Sequence, residues 1–108
     1  MQEILKKFGL TESGTGFIDK QECYWDSLES ALWGGVLGFC CCGEPDKGLR
    51  IIRDVLKTIE EKQFKNEYLF HYYVLNKIGL AEHGCLIYSS WLTDAGDSFL
   101  KILNSMEL

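Results

Sequence analysis

The sequence predicts one mainly α-helical domain, spanning residues 1–108, with one small β-hairpin and a winged-helix-like arrangement. Two observations carry this prediction. Residues 44–61 repeat apolar side chains at helical spacing, with charged side chains between them. Near the C-terminal end, a helical segment that stops at Gly79 is followed by two short apolar pieces and then by a second helical segment. A length of 108 residues suits a single domain with one modest core.

The first third of the chain predicts two helices joined by a loop. Residues 2–8 should form a short helix, and residues 10–18 are rich in Thr, Ser and Gly, which is typical of a loop. Asp19 followed by Glu22 is close to a capping box. We therefore expect a helix over residues 20–33.

Two glycines, Gly34 and Gly35, follow that predicted helix. A phosphate-binding loop would need a Gly-Lys-Ser/Thr ending or a dinucleotide fingerprint, and neither is present in the sequence. We expect these glycines to allow close backbone packing against an aromatic side chain such as Trp33.

The middle of the chain predicts its clearest amphipathic helix, which begins near Pro45. One apolar stripe should face the core, and it consists of Leu49, Ile52, Val55, Leu56 and Ile59. The next helix, over residues 66–78, should be capped by Asn66 and end at Gly79. Because it is apolar nearly all round, we expect it to be central and buried.

After the hairpin, Thr93 or Asp94 should cap the last helix. Its apolar positions recur at helical spacing, and they are Ala95, Phe99, Ile102, Leu103 and Met106.

Charge and cysteine content limit the function classes. The net charge of −5 disfavours binding to phosphate backbones and to anionic membranes. No apolar run approaches the roughly 20 residues of a spanning helix, and the first residues do not read as a secretion signal. The five cysteines are odd in number and three are consecutive, which suits a disulfide framework badly. We expect a cytoplasmic protein that does not associate with membranes.

Two segments carry a resemblance to known proteins. Residues 75–82, a turn, and then Trp91-Leu92-Thr93-Asp94-Ala95-Gly96 resemble the end of winged-helix regulators of the MarR/PadR kind, in which a wing follows the recognition helix. The resemblance implies a winged-helix-like fold and, in those regulators, DNA binding. Residues 39–45, with Glu82-His83-Gly84 and residues 91–93, also resemble a group of small uncharacterised phage and prophage proteins.

The cysteines offer a metal or redox interpretation. Cys40 and Cys42, with His83 and Cys85, are candidate ligands of a zinc ion, but the paired C-x₂₋₄-C spacing of structural zinc sites is missing. A redox site would need Cys-x-x-Cys spacing or a thiol with a lowered pKa, and that spacing is also missing. We favour small apolar thiols that fill a tight place, and we predict no cofactor, with zinc as the alternative.

Aromatic residues are more numerous than a core of this size needs, at 13% of the chain. Because Tyr and Trp concentrate at interfaces, we predict a partner-binding surface that includes Tyr24, Trp25 and Trp33, with Trp33 near its centre.

A short row of basic side chains on the amphipathic helix supports the alternative to a protein partner, which is contact with a nucleic-acid backbone. The row consists of Lys47, Arg50, Arg53 and Lys57. Acidic residues interrupt this row, so we favour a solvated helix face with local ion pairs.

The function expected from these observations is a non-enzymatic protein-interaction module, possessing no catalytic residues and acting as a homodimer or on a dedicated protein partner. The resemblance suggests a phage or prophage factor that binds a host protein. The first alternative is a winged-helix DNA-binding transcriptional regulator, although we expect no specific binding to duplex DNA. The second is a metal-binding or redox protein built on the cysteine run.

Overall fold

The computed structural model describes residues 2–39 and 43–108, and for Gln2 only the backbone. The chain divides into two compact units, Met1–Leu49 with Leu108 and Arg50–Glu107. The described chain is mainly helical, as predicted, and it contains two small antiparallel sheets.

The first unit begins with helix α1 and a three-stranded meander, and continues into a short helical segment. Its elements are α1 (Gln2–Lys7), β1 (Thr11–Ser13), β2 (Gly16–Ile18), β3 (Tyr24–Trp25), α2 (Leu28–Ser30) and a π-helix (Ala31–Val36). The strands pair in the order β1-β2-β3, with Thr11 opposite Ile18 and Phe17 opposite Trp25.

Two predictions for this unit were wrong. The segment 10–18, predicted to be a loop, forms the β1–β2 hairpin, which turns at Gly14 with a φ of 61°. Strands β1 and β2 are each three residues long, which is too short to show the alternation of apolar and polar side chains that marks a strand, and β1 is polar throughout. The helix predicted over residues 20–33 begins only at Leu28, after Ser27 has capped it by accepting the N–H of Ser30.

The Asp19 carboxylate explains this second error. It accepts the N–H groups of Gln21 and Cys23 at 2.8 and 3.0 Å, and the indole N–H of Trp25 at 2.8 Å. Glu22 has a φ of 65°, so the chain turns into β3 instead of starting a helix. The hydrogen bonds from Trp25 and then from Cys23 hold the pKa of the Asp19 carboxyl below its usual range.

The glycine pair after α2 does allow close packing, but against Trp25 and not against Trp33. A Cβ on Gly34 would lie 2.4 Å from Cη2 of Trp25, and the indole nitrogen lies 3.0 Å from a Cβ on Gly35. Trp33 instead packs on Gly48, where a Cβ would lie 2.3 Å from its ring. The two glycines lie in the π-helical turn, which brings their backbone against the indole.

The second unit contains the helix–hairpin–helix order that the sequence predicts. Helix α3 spans Pro45–Glu60, and the unit boundary lies within it. There follow a 3₁₀ turn (Asn66–Tyr68), α4 (Leu69–Lys77), β4 (Ala81–Glu82), a second 3₁₀ turn (Ile87–Ser89), β5 (Trp91–Leu92) and α5 (Asp94–Ser105). Ala81 pairs with Leu92 and Glu82 with Trp91.

Thr93 and Gly96 close the base of this hairpin. The Thr93 hydroxyl donates to the carbonyl of Gly79 at 2.7 Å and accepts the N–H of Gly96 at 3.1 Å, while its own N–H donates to Leu80 at 3.2 Å. A Cβ on Gly96 would lie 1.8 Å from the Leu80 carbonyl oxygen. The segment Leu92-Thr93-Asp94-Ala95-Gly96, which carries the resemblance to winged-helix regulators, therefore has a packing role in this chain: it joins the end of α4 to the start of α5.

The core of the second unit is formed chiefly by two amphipathic helices. The positions of the predicted α3 stripe that lie in this unit, Ile52, Val55, Leu56 and Ile59, are buried, as are Phe99, Ile102 and Leu103 of α5. Helix α4 contributes Tyr72 and Leu75. Within residues 2–39 and 43–108, no helix combines the length and apolar character needed to cross a membrane.

Candidate protein-interaction surface

Helix α4 is not the central, buried helix that its sequence predicts. Only Tyr72 and Leu75 of its nine residues are buried, whereas Phe70 is 67% exposed and Tyr73 is 55% exposed. The error has a physical reason. An all-round apolar helix shows no preferred face, and here only one side of the helix meets a neighbour.

The exposed side of α4 forms one stripe. Phe70, Tyr73 and Lys77 follow one another at spacings of three and four residues, so they lie on the same face of α4, and Asn66 lies in the 3₁₀ turn that precedes this helix. All four are exposed, and Leu69 flanks them with 36% of its surface exposed. We call these five residues the α4 face. It presents a large apolar centre between a polar first residue and a cationic last one.

Tyr88 extends this apolar surface beyond the helix. Its hydroxyl donates to Oδ1 of Asn66 at 2.7 Å, at the start of the stripe. The Tyr88 ring packs edge-on against Phe64 and Tyr72, with centroid distances of 6.2 and 6.3 Å, and still leaves 38% of the residue exposed. The second 3₁₀ turn, within the hairpin loop, thus presents an aromatic side chain next to the α4 face.

The buried side of α4 is fixed by the Tyr72 hydroxyl. It accepts the backbone N–H of Lys65 at 2.8 Å and lies 3.0 Å from Oγ1 of Thr58. Thr58 donates its own hydroxyl hydrogen to the Val55 carbonyl at 2.7 Å, so Tyr72 is the donor to Thr58. This chain of hydrogen bonds joins α3, the connecting segment and α4, and it sets which side of α4 faces outward.

A second contact holds the start of α4. The Tyr68 hydroxyl donates to Oδ2 of Asp54, and the Lys65 ammonium lies 3.9 Å from the same oxygen and 5.6 Å from the centre of the Tyr68 ring. The hydrogen bond to Asp54, followed by burial, raises the pKa of Tyr68 to about 12. Tyr68 therefore stays protonated and keeps donating throughout the neutral range.

His71 lies between the two sides of α4. Its ring packs edge-on against Tyr68 and Phe70, each with a centroid distance of 5.8 Å. Its Nδ1 is buried and has no hydrogen-bond partner among the described residues. Burial lowers the pKa of His71, so the ring is neutral at pH 7.

The partner-binding residues predicted from the sequence lie in the first unit and differ in exposure. Tyr24 is 55% exposed, while Trp25 and Trp33 are half-buried. Trp33 stacks on Phe39, with ring centroids 4.5 Å apart and an interplanar angle of 24°. Their role in binding stays a prediction. The prediction of a central, buried α4 also placed Phe70 and Tyr73 in the core, and their exposure shows that this was wrong. The all-round apolar composition of α4 was the available signal for a contact surface.

The proposed zinc ligands are only partly described. Cys40 and Cys42 lie outside the described residues. His83 and Cys85 are exposed, and Nδ1 of His83 lies 2.8 Å from the Gly84 carbonyl oxygen. In the part of the chain that the structure describes, no group of three or more His, Cys, Asp or Glu side chains is placed to hold a metal ion.

The basic residues of α3 project mostly into solvent. Lys47, Arg50 and Lys57 are exposed and Arg53 is half-buried. Lys47 forms an ion pair with Glu44 at 3.4 Å. This is the local ion pairing expected of a solvated helix face, and such exposed pairs stabilise the fold little.

Comparisons with protein-family models, with curated proteins and with solved structures find no match to this chain.

Proposed function

We propose that this chain is a non-enzymatic protein-interaction module that binds another protein through the α4 face. The exposure of Phe70 and Tyr73 on one side of a helix is the observation that carries this proposal. With Leu69 and Tyr88, they present roughly 300–500 Å² of apolar surface, given that a fully buried aromatic side chain covers about 150–250 Å². The largest apolar patch on a monomer is commonly of about this size and is often functional, which supports an interaction site here.

The alternative, a winged-helix-like DNA-binding regulator, is supported by the order of elements in the second unit. Helix α4, the β4–β5 hairpin and α5 follow one another as a recognition helix, a wing and a final helix would. In that arrangement, α4 would be the helix that reads bases. Its exposed stripe contains a single cation, Lys77, and two large aromatic side chains. Because DNA-reading helices need donors and positive charge, this stripe favours a protein ligand.

The wider setting is part of the same proposal. We propose that the chain is a cytoplasmic phage or prophage factor that acts on a host protein. Such a factor needs a stable scaffold and an exposed contact surface, and it does not need a catalytic centre. The net charge of −5 supports a protein partner over a nucleic acid.

A matched pair of substitutions tests the proposal, because Tyr73 and Tyr24 are each 55% exposed but lie in different units. The tagged wild-type chain, Tyr73→Ser and Tyr24→Ser would each be used to capture proteins from a host lysate, with identification by mass spectrometry. Circular dichroism would first establish that both variants are folded. We expect Tyr73→Ser to lose proteins that the wild type and Tyr24→Ser retain.

Two results would count against this function. Loss of the captured proteins in Tyr24→Ser but not in Tyr73→Ser would place the binding surface in the first unit. Selection from a pool of random duplex DNA provides the other check. Sub-micromolar, sequence-dependent binding that survives Tyr73→Ser would favour the regulator.

A further inference from the structure

We infer that the α4 face binds a second copy of this chain, with the two α4 helices packed antiparallel about a two-fold axis. This inference rests on the proposed function, since it uses the same face as the binding surface. In such an interface, the same patch contacts itself, so it must be complementary to its own rotated image. The distribution of charge and aromatic side chains along α4 meets this condition.

Charge complementarity selects the antiparallel orientation. Glu67 lies in the 3₁₀ turn just before α4, beside the α4 face, Lys77 is the last residue of that face, and both are exposed. Neither forms an ion pair among residues 2–39 and 43–108. The two charges are ten positions apart, from the 3₁₀ turn to the end of α4, which corresponds to roughly 15 Å along the helix axis. When two copies pack antiparallel, each Glu67 meets the Lys77 of the other copy, whereas parallel packing would place like charges together.

The aromatic residues obey the same symmetry. The midpoint between Glu67 and Lys77 is residue 72, and Phe70 and Tyr73 lie on either side of it on the exposed stripe. A two-fold axis near this midpoint therefore places Phe70 of one copy against Tyr73 of the other. These rings can meet edge-to-face, the geometry that aromatic pairs prefer. Apolar contact falls at the centre of the interface and the charges fall at its rim, as in known interfaces.

The area available sets the strength of this dimer. With roughly 300–500 Å² of apolar surface on each copy, a pair would bury on the order of 600–1,000 Å² of apolar area. Stable interfaces bury about 1,200–2,000 Å² in total, of which roughly 60% is apolar, or about 700–1,200 Å². The apolar area available here reaches only the lower part of that range, so the dimer belongs to the weak, reversible class. We expect a dissociation constant in the micromolar range, which leaves the α4 face open to other partners in dilute solution.

Sedimentation velocity on the purified full chain tests the dimer over a concentration range of about 5–500 µM. We expect the wild type to shift from monomer to dimer across this range. Phe70→Glu should remain monomeric, because it places two charges at the centre of the interface. Tyr24→Ser, in the first unit, should behave as the wild type does.

Charge exchange tests the orientation. At low salt, where exposed charges are least screened, Glu67→Lys and Lys77→Glu should each weaken the dimer by about two- to five-fold. The double variant, which carries both substitutions, should recover the wild-type affinity. A double variant no tighter than the singles would overturn the antiparallel arrangement.

Two further outcomes would overturn self-association through α4. The first is a strict monomer at the highest concentration. The second is a dimer that persists unchanged in Phe70→Glu, which would place the contact elsewhere. Neither outcome decides the proposed function, because the lysate comparison of Tyr73→Ser with Tyr24→Ser measures binding to other proteins independently.

Discussion

The Tyr72 hydroxyl provides the sharpest test of how α4 is oriented. Tyr72→Phe removes one oxygen from a fully buried ring and leaves the packing of that ring unchanged. The neighbouring Tyr73→Phe removes the same atom from a ring that is 55% exposed. The two variants differ by one position in the sequence and by which side of the helix they alter.

The cost of Tyr72→Phe follows from its two hydrogen bonds. The backbone N–H of Lys65 loses an acceptor at 2.8 Å, and the buried Oγ1 of Thr58 loses a donor at 3.0 Å. Thr58 keeps its own bond to Val55, so its oxygen loses one partner and not both. Lys65 is exposed, so water can partly replace the lost acceptor. With about 0.5–1.5 kcal/mol for each hydrogen bond, we expect a loss of about 1–2 kcal/mol.

Thermal and urea unfolding, followed by circular dichroism, would measure this loss. For a chain of this size, 1–2 kcal/mol lowers the melting temperature by roughly 5–10 °C. Tyr73→Phe should stay within about 0.5 kcal/mol of the wild type, as exposed substitutions do. Combining Tyr72→Phe with Thr58→Val should cost less than the sum of the two single changes, because both remove the same contact. Equal effects of Tyr72→Phe and Tyr73→Phe would refute the assignment of the buried and exposed sides of α4.

Three further outcomes can be measured independently. Gly96→Ala should lower the free energy of unfolding by about 1–3 kcal/mol, because its Cβ would overlap the backbone oxygen of Leu80, and urea unfolding would show this loss. Burial lowers the pKa of His71, so the folded state binds the imidazole proton more weakly than the unfolded chain does. The free energy of unfolding should therefore be unaffected by His71 above its unfolded pKa of about 6.5 and should fall as the pH drops through that value. Melting curves between pH 7.5 and 5.5 should show a smaller loss for His71→Gln than for the wild type. Trp25→Phe removes the hydrogen bond that contributes most to the low pKa of the Asp19 carboxyl, so this pKa should rise. An NMR titration of the carboxyl group would detect the rise, and an unchanged pKa would contradict the assigned cause.

The sequence by itself determined the amphipathic helices α3 and α5 and the end of α4. The cap predicted at Asn66 was wrong, because the turn before α4 begins without a side-chain cap and the Asn66 side chain accepts a hydrogen bond from Tyr88. The α3 stripe is buried as predicted, because apolar residues at helical spacing indicate both that the segment is a helix and which of its faces is turned towards the core. Gly79, with a φ of 85°, follows α4 as predicted, and Thr93 caps α5 through a hydrogen bond from Gly96. These signals are local: each depends on residues within about one helical turn, so no knowledge of the rest of the fold is needed.

The tertiary structure decided the features whose local signals were ambiguous. The spacing of Asp19 and Glu22 fits both a helix cap and a tight turn, and the indole of Trp25, which binds the Asp19 carboxylate, accompanies the turn that leads into β3. Helix α4 is apolar on every side, so its sequence cannot state which side is covered. The hydrogen bonds of Tyr72 settle that question by turning Phe70 and Tyr73 outward. The periodicity of a sequence indicates on which side of a helix or strand the apolar side chains lie. Whether that side is buried depends on another element packing against it, and this contact exists only in the folded chain.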